Sequence, residues 1–411
     1  MEVIYKRCCG LDVHKETVVA CLLIRQGRKV LKEIRTFLTM TGDLVVLHDW
    51  LKGHQVTHVA MESTGIYWRP VFNLLEEDFT VLLVNAAHIK TVPGRKTDVK
   101  DCEWIADLLS HGLLRGSFIP PEPIRDLRDL TRYRKTLTDE RVREVNRLQK
   151  FLEAANIKLS SVATDVMGVS GRAMLEALLS GSTDPQVLSE LAKGRLRKKL
   201  PELKKALEGR FRSHHRFMVA EILTHLGFLD EAIERVSQEV SSRIAPFSER
   251  VELMDLVPGI DQRVAEGVLS EMGVDMSCFP SHRHAASWTG LCPGNNESAG
   301  KRKSGKIRKG NQWLRRYLIE ASWAAVRKRG TYLSALYHRL VPRRGKKKAI
   351  VAVAHALLVM IYHILKDQVP YRDLGSDHFN KLNATYVQRH HVKRLESLGF
   401  KVILEPLSQA A

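Results

Sequence analysis

The chain has 411 residues, and 65 Lys and Arg residues against 46 Asp and Glu residues give it a formal charge of +19. This positive excess predicts a polyanionic partner, for which nucleic acid is the first choice, and the length allows two or three domains. The most apolar stretch, 349–365, is shorter than a typical membrane span and the N-terminus lacks the apolar core of a signal peptide, so we expect a cytoplasmic protein with no membrane partner.

Residues 1–122 have the pattern of an α/β domain. Three strands are predicted between Val3 and Leu38, in a meander. The helices and strands predicted after them are, in order, Thr41–Leu51, Val56–Met61, Gly65–Glu77 and Thr80–Val84. Three consecutive strands followed by helix, strand, helix, strand and helix are typical of an RNase H-like (RuvC-like) fold.

Four acidic residues accompany these elements at positions that would bring them to one crevice. Asp12 ends the first strand and Glu62 ends the fourth, and side chains at such ends project above the sheet. Asp98 and Asp101 have the i, i+3 spacing of one helix face, with Asp107, six residues further on, as an alternative ligand. Four converging carboxylates would hold two Mg²⁺ ions, or Mn²⁺, for phosphoryl transfer. The competing interpretation makes these acids turn formers and a solvated helix face.

The segments that carry the acids read GLDVHK, AMESTGIYW and KTDVKDCEWIADLL. They closely resemble the DEDD motifs of the IS one-ten family of insertion-sequence transposases. The resemblance implies a RuvC-like N-terminal domain whose catalytic, metal-binding acids are Asp12, Glu62, Asp98 and Asp101. We therefore expect the protein on the nucleoid of a bacterial or archaeal cell.

Residues 123–250 are predicted to be helical and dense in charge. An approximate heptad stripe of apolar side chains runs through the first part, at Leu130, Leu137, Val145, Leu148, Leu152 and Ala155. Three interpretations stay open, namely a coiled-coil arm for self-association, a basic surface for nucleic acid, and an ordinary solvated helix of a bundle. We favour an arm that dimerises the chain and also contacts nucleic acid.

Residues 251–369 are predicted to be mostly α-helical and positively charged. Within them, Leu253–Gly273 resembles a helix-hairpin-helix, and its hairpin at Gly259 would present backbone N–H groups to a phosphate. An ordinary αα-turn is the alternative interpretation. The tail, 370–411, is predicted to be basic and to contain a strand over Lys401–Leu404.

A glycine-rich cationic loop, GLCPGNNESAGKRKSGKIRKGNQWLRRYL, occupies residues 290–318 and holds Ser298 near its middle. Six cations follow the serine, at Lys301, Arg302, Lys303, Lys306, Arg308 and Lys309. A hydroxyl in such a loop suits attack on a phosphodiester, because the cations would hold the phosphate and offset developing charge. The alternative is a loop that grips nucleic-acid backbone, in which Ser298 is a turn residue.

This loop resembles the second conserved domain of the same IS one-ten family, which carries a nucleophilic serine in a glycine- and lysine-rich loop. The resemblance implies that Ser298 is the nucleophile of a DNA recombinase, although Ala299 stands where many relatives have glycine. It also implies a homo-oligomer, dimer or tetramer, and a structured non-coding RNA that guides target choice. Two further hypotheses stay open, a RuvC-like metal-dependent junction endonuclease that uses water and a non-catalytic DNA-binding protein.

Overall fold

The computed structural model describes residues 2–27, 29–63, 65–85, 89, 101–294, 296–307, 309–382 and 384–404, with the backbone alone at 296–298, 302 and 303. The chain divides into two compact units, Met1–Ile119 and Pro120–Ala411. The first unit is a mixed α/β structure, and the second is mainly α-helical.

A five-stranded sheet of order β3-β2-β1-β4-β5 forms the centre of the first unit. Its strands are β1 (Arg7–Val13), β2 (Thr17–Gln26), β3 (Lys29–Leu38), β4 (His58–Glu62) and β5 (Thr80–Val84). β1, β2 and β3 are antiparallel neighbours, whereas β4 pairs in parallel with both β1 and β5. The predicted meander followed by parallel βαβ connections is therefore present. β1 is shorter than predicted, because the N–H groups of Ile4 and Tyr5 bond to the carbonyl of Ser110 instead of to a strand.

Helices pack on both faces of this sheet. In the described part of the unit they are α1 (Thr41–Gly53), α2 (Trp68–Leu75) and α3 (Asp101–Ser110). One face of the sheet forms a core with α1 and α2 that includes Leu11, Leu47 and Phe72. The opposite face packs on α3, where Cys8 and Ala60 join the core. The apolar strands β1, β2 and β4 are therefore largely buried, whereas the edge strand β3 is mostly exposed.

Helices make up most of the second unit. Those in the described residues are α4 (Glu122–Ala154), α5 (Leu159–Val162), α6 (Val169–Ser180), α7 (Pro185–Glu190), α8 (Leu200–Leu207), α9 (Ser213–Ile244), α10 (Ser248–Asp255), α11 (Gln262–Met272), α12 (His282–Thr289), α13 (Gln312–Ala325), α14 (Tyr332–Arg344), α15 (Lys346–Asp367), α16 (His378–Leu382) and α17 (Ala384–Glu396). Short 3-10 turns lie at Gly194–Lys199, Ala245–Phe247 and Met276–Cys278.

The two longest helices, α4 and α9, lie side by side in antiparallel directions. Asp126 near the start of α4 pairs with Arg243 near the end of α9, and Arg141 pairs with Asp230 further along. The apolar stripe of α4 is buried in this packing, with Leu137 against Leu229 of α9. Much of the stripe that we interpreted as a self-association arm is therefore covered by a helix of the same chain.

α15 is the apolar helix of the second unit. With 22 residues it is longer than the predicted stretch 349–365, and by length and composition it is able to cross a membrane, contrary to the expectation from sequence. Its apolar side chains, from Ala349 to Leu365, are instead largely buried. α15 packs against four other helices of the unit, α10, α12, α13 and α14. This packing is that of a core helix, in which apolar side chains are removed from solvent.

Two differences from the predicted pattern fall in the second unit. The serine loop contains a two-stranded antiparallel sheet of β6 (Asn296–Ser298) and β7 (Lys301–Ser304), so the region is not purely helical. The strand predicted at Lys401–Leu404 is wrong, since the backbone there is irregular and Ile403 is 73% exposed. An apolar run forms a strand only where a neighbouring strand can accept its hydrogen bonds.

Candidate active site and nucleic-acid interface

Asp12 and Glu62 lie at the same edge of the sheet and on the same face. β1 and β4 are parallel neighbours in which Leu11 pairs with Met61, so the next residues along both strands are Asp12 and Glu62. Successive side chains of a strand alternate between faces, which puts Asp12 on the face of Gly10 and Glu62 on the face of Ala60. Ala60 packs on α3, and both acids therefore belong to the α3 face.

Gly10 allows α3 to lie directly on β1. A Cβ atom at Gly10 would come within 3.0 Å of both the carbonyl oxygen of Cys102 and the backbone nitrogen of Ala106. Further down the helix, the Cys8 thiol lies 3.7 Å from the carbonyl oxygen of Ala106. α3 thus runs antiparallel to β1, and its first residue, Asp101, begins at the end of the sheet that carries Asp12.

The described acids suit a hard divalent cation in chemical type, because carboxylate oxygens are the ligands that Mg²⁺ and Mn²⁺ prefer. Asp12 and Glu62 are both partly exposed at the sheet edge, and Asp101 is exposed at the start of α3. Asp98 lies outside the described residues. Within residues that are described, no group of three His, Cys, Asp or Glu side chains already converges on a common point.

Two contacts of the first unit involve His14, which the sequence analysis did not single out, and Asp107. The imidazole Nε2 of His14 lies 3.1 Å from Oδ2 of Asp12. The GLDVHK motif contains this histidine, two residues after the acid, but the spacing alone gave no reason to pair them. Asp107, suggested as an alternative ligand, instead accepts a hydrogen bond of 2.8 Å from Arg25. Arg25 is paired with the N-terminal side of β1 through Lys6, which is the opposite end of the sheet from Asp12.

Ser298 ends β6 at the tip of the hairpin and pairs with Lys301 at the start of β7. The two residues between them, Ala299 and Gly300, have φ of +51° and +73°. Two consecutive positive φ angles are the mark of a type I′ turn, the tightest connection between antiparallel strands. The serine of the glycine-rich loop therefore ends a strand beside a tight turn.

Backbone contacts hold the foot of this hairpin. The N–H of Gly294 donates to the carbonyl of Lys306 at 2.9 Å, and Pro293 is bridged to Ile307. A Cβ atom at Gly310 would come within 3.0 Å of the backbone of Trp288 and Gly290, so glycine is required where the chain leaves the loop. The loop glycines thus have structural roles that sequence alone left unassigned.

A buried carboxylate anchors Asn311, the residue that caps α13. Glu271 of α11 is fully buried, and its two oxygens accept from Arg132 of α4 at 2.6 and 2.8 Å. It also accepts from the amide of Asn311 at 2.6 Å, and Asn311 in turn caps α13 by accepting from the N–H groups of Trp313 and Leu314. Sequence reasoning missed this network, since its members lie 40 to 139 residues apart.

The structure describes the side chains of only some of the predicted phosphate-binding cations. Lys301, Lys306 and Lys309 are exposed, consistent with contact to a polyanion in solution. Arg302 and Lys303 belong to β7, where only the backbone is described. Arg308 lies outside the described residues.

Gly259, the predicted hairpin glycine, lies between α10 and α11 as expected. Its φ of +87° favours glycine, and a Cβ atom there would come within 3.0 Å of the carbonyl oxygen of Ala321 and the nitrogen of Ala325 in α13. At the start of α11, the side chain of Asp261 accepts from the N–H of Val264. Close packing on α13 is therefore sufficient to explain this glycine, and phosphate binding by the hairpin stays a prediction.

Comparison with known proteins finds matches in both units. A DEDD-type model of IS110 transposases matches residues 9–157, and a model described as transposase IS116/IS110/IS902 family matches residues 251–338, so that together they cover more than half of the chain.

The transposase for insertion sequence element IS1111A of Coxiella burnetii is 26% identical over 372 residues, which cover 88% of this chain and 90% of that protein. A putative transposase of Sinorhizobium fredii is 24% identical over 328 residues, covering 77% and 74% of the two chains. An uncharacterized 44.8 kDa protein of insertion element IS116 of Streptomyces clavuligerus is 24% identical over 332 residues, covering 70% and 79%.

Proposed function

The chain belongs to the IS116/IS110/IS902 family of transposases, and from that premise we propose that it cleaves and rejoins DNA through a covalent bond to Ser298. Family membership supports the reaction class, an enzyme that breaks and joins DNA strands. The observation that supports the residue is the position of Ser298 at the end of β6, beside the tight turn at Ala299 and Gly300. A nucleophile benefits from a fixed backbone, because attack requires a defined approach to phosphorus.

The proposed reaction exchanges one phosphate ester for another. The hydroxyl oxygen of Ser298 forms a bond to phosphorus while the bond from phosphorus to the DNA 3′ oxygen breaks. The serine loses its proton to a base or to solvent, and the departing oxygen takes up a proton. In the second step a 3′-hydroxyl of another strand loses its proton and bonds to phosphorus while the bond from phosphorus to the serine oxygen breaks. That oxygen takes up a proton, which restores Ser298, and the strands are joined. Lys301, Lys306 and Lys309 would hold the phosphate and offset its charge.

The first unit would supply the acidic half of the site. Its strand order supports an RNase H-like, RuvC-like fold for residues 1–122. We propose that the carboxylates of Asp12, Glu62, Asp98 and Asp101 hold Mg²⁺, or Mn²⁺ in its place. A hard cation bound there supplies Lewis acidity toward the scissile phosphate. His14 would orient the carboxylate of Asp12, to which it is adjacent.

The remaining proposals concern assembly. A helical spacer over 123–250, a catalytic region over 251–369 with a helix-hairpin-helix, and a basic tail over 370–411 would complete the domain order. We propose a homo-oligomer, dimer or tetramer, in which acids of one copy act with Ser298 of another. A structured guide RNA would select the target by base pairing, and the protein would work in the cytoplasm on the nucleoid.

A covalent-adduct assay tests the nucleophile. Purified protein is incubated with Mg²⁺, RNA from the native locus and a plasmid that carries the element with its flanks. We expect a protein–DNA adduct with the wild type and none with Ser298→Ala, while DNA binding is retained. Cleavage by Ser298→Ala without an adduct would instead support the water-using junction endonuclease. Absence of strand breakage in every divalent metal would support a non-catalytic DNA-binding protein.

A matched pair of acid substitutions tests the metal site. Asp12→Asn should lower metal-dependent cleavage by about 100-fold or more, since even groups that merely support a metal ligand are worth about 10- to 100-fold. Asp107→Asn changes another aspartate of the same unit, one that is paired with Arg25, and should cleave like the wild type. Equal cleavage by both variants would remove Asp12 from the site.

Mixing two inactive variants tests whether the site is shared between copies. Asp12→Asn and Ser298→Ala proteins are combined so that mixed oligomers form. If one site takes its acids from one copy and its serine from another, the mixture regains adduct formation. If each site comes from a single copy, the mixture stays inactive.

A further inference from the structure

A large cleft lies between the foot of the serine hairpin and helices α14 and α15, with a volume of about 1130 Å³. Ser304, the last residue of β7, is part of its lining. β7 leads from Lys301, the partner of Ser298, to Ser304 over three residue steps, which is about 10 Å of extended chain. A strand of nucleic acid that reaches Ser298 is therefore able to continue into this cleft.

The lining combines apolar side chains with exposed cations. The apolar side chains include Leu291, Ile307, Leu340 and Val351. The cations are Lys306, Arg344, Lys347 and Lys348, and all four are exposed. No Asp or Glu appears among the described residues that line the cleft. An apolar surface bordered by four positive charges is complementary to a ligand with flat apolar groups on a polyanionic backbone.

Two further features strengthen the positive potential at this place. Lys347 and Lys348 belong to the first turn of α15, whose helix dipole adds partial positive charge at that end. Burial and the neighbouring His282 lower the pKa of His355, which also lines the cleft, so its ring is neutral near pH 7. The charge of the cleft therefore comes from Lys and Arg, which stay cationic over the physiological range.

The apolar lining distinguishes a single strand from a duplex. A duplex presents phosphates and sugars outward and keeps the faces of its bases stacked inside, so it gains little from an apolar wall. An unpaired strand exposes base faces that gain contact energy on such a wall while its phosphates reach the cations.

We propose that this cleft binds an unpaired DNA strand adjacent to the scissile phosphate, with its bases against Ile307 and Val351 and its phosphates on Arg344, Lys347 and Lys348. The proposal rests on the proposed function, since the adjacency to Ser298 makes DNA, rather than RNA, the strand in question. It adds a binding surface for the substrate, one that accepts DNA only after its strands have separated.

Salt-dependent binding tests the cations. Anisotropy of a labelled 15-nucleotide single strand of mixed sequence is measured without divalent metal, from about 0.05 to about 0.4 M KCl. The triple variant Arg344→Ala, Lys347→Ala, Lys348→Ala should reduce the slope of log affinity against log salt by about 2, since each phosphate contact on a single strand contributes about 0.7. A matched variant removes the same charges from exposed positions outside the cleft, by Arg195→Ala, Lys198→Ala and Lys204→Ala. Its slope should change by less than half as much.

A substitution in the apolar lining tests the bases. Ile307 is 39% exposed, so Ile307→Ser should leave the fold intact. We expect single-strand affinity to fall about three- to tenfold, at or below the range known for base stacking on aromatic rings, with an unchanged salt slope. A duplex of the same length should bind this variant like the wild type. Equal losses for duplex and single strand would overturn the proposal that bases contact the wall.

The outcomes separate this inference from the proposed function. If the cleft variants bind a single strand like the wild type, while the wild type forms its Ser298 adduct, the cleft proposal fails and the function stands. If the cleft variants lose binding but no adduct forms with the wild type, the function fails and the cleft stands. A matching RNA strand that competes better than DNA, and loses this advantage in the cleft variants, would overturn the assignment to DNA.

Discussion

Gly10 of β1 lies against the carbonyl oxygen of Cys102 in α3, with no space for a side chain between them. Because Asp12 follows Gly10 by two residues and Asp101 precedes Cys102 by one, this contact sets the separation of two candidate metal ligands. Cys102 is itself buried in the core on this face of the sheet. The glycine therefore acts on the site through the position of a helix.

Gly10→Ala should displace α3 and move Asp101 away from Asp12. We expect the free energy of unfolding to fall by about 1–3 kcal/mol, as for other overpacked cores. Metal-dependent cleavage should fall by more than this loss of stability explains. Denaturant unfolding and the plasmid assay measure the two effects. Gly42→Ala is the control, because the position of its Cβ in α1 has nothing within 4 Å. That change should leave cleavage intact and stability equal or higher by up to about 1 kcal/mol.

Ala299→Gly should stabilise the tip of the serine hairpin. Ala299 has a φ of +51°, a conformation that costs an L-residue about 1–2 kcal/mol and costs glycine almost nothing. Glycine also adds entropy to the open chain, which offsets part of this gain. We therefore expect the hairpin to be stabilised by up to about 1 kcal/mol, which corresponds to hydrogen exchange at its amides that is up to about fivefold slower. Gly300→Ala should have the opposite effect, since its φ is +73°. Faster exchange in Ala299→Gly would contradict the type I′ turn.

Glu271→Gln should be strongly destabilising. The substitution removes the fully buried negative charge that pairs with Arg132 and Arg128, whose side chains are 27% and 13% exposed. Breaking such a buried pair costs about 3–5 kcal/mol, which denaturant unfolding measures directly. Glu320→Gln is the control, because Glu320 is half-exposed in its pair with Lys135 and the expected cost is below about 1 kcal/mol. Equal costs for both variants would show that the network around Asn311 is not held by Glu271.

The stability of the first unit should depend on pH through His48. Its ring nitrogens lie 3.1 Å from Asp49 and 2.8 Å from Asp78, and these carboxylates raise the pKa of His48 above its usual value. A histidine whose pKa is raised by folding stabilises the folded state. The full stabilisation is present at pH values below the unfolded-state pKa, and it is lost as pH rises through the folded-state pKa. The melting-temperature loss caused by His48→Gln should therefore be larger at about pH 6 than at about pH 8.5. A loss that increases with pH would contradict this assignment.

The sheet could be predicted from sequence because its signal is local. The run Thr80–Val84 is a continuous apolar segment, and the strand has those same bounds. Asp12 and Glu62 could be identified because strand ends in parallel pairs meet at one edge of a sheet. The position of Asp98 in a helix is untested, since α3 begins at Asp101 in the described residues.

The remaining features depend on contacts between distant segments. The β6–β7 hairpin has no alternation of apolar residues, and its signal is the turn at Ala299 and Gly300, which composition alone did not reveal. Glu271 is an unremarkable helical acid until Arg132 and Asn311 approach it from other helices. The stripe of α4 indicated an apolar partner surface, but the sequence does not say whether that partner belongs to the same chain.

The antiparallel course of α4 and α9 allows the segment between them to change in length. With 33 residues, α4 carries the chain outward over about 50 Å, and α9 brings it back alongside. Residues 155–212 fold at the distal end, where the N–H of Arg210 donates to the carbonyl of Ala155. Because the departing and returning chain are neighbours there, this lobe is an excursion that can be shortened, enlarged or replaced without rerouting the rest of the polypeptide.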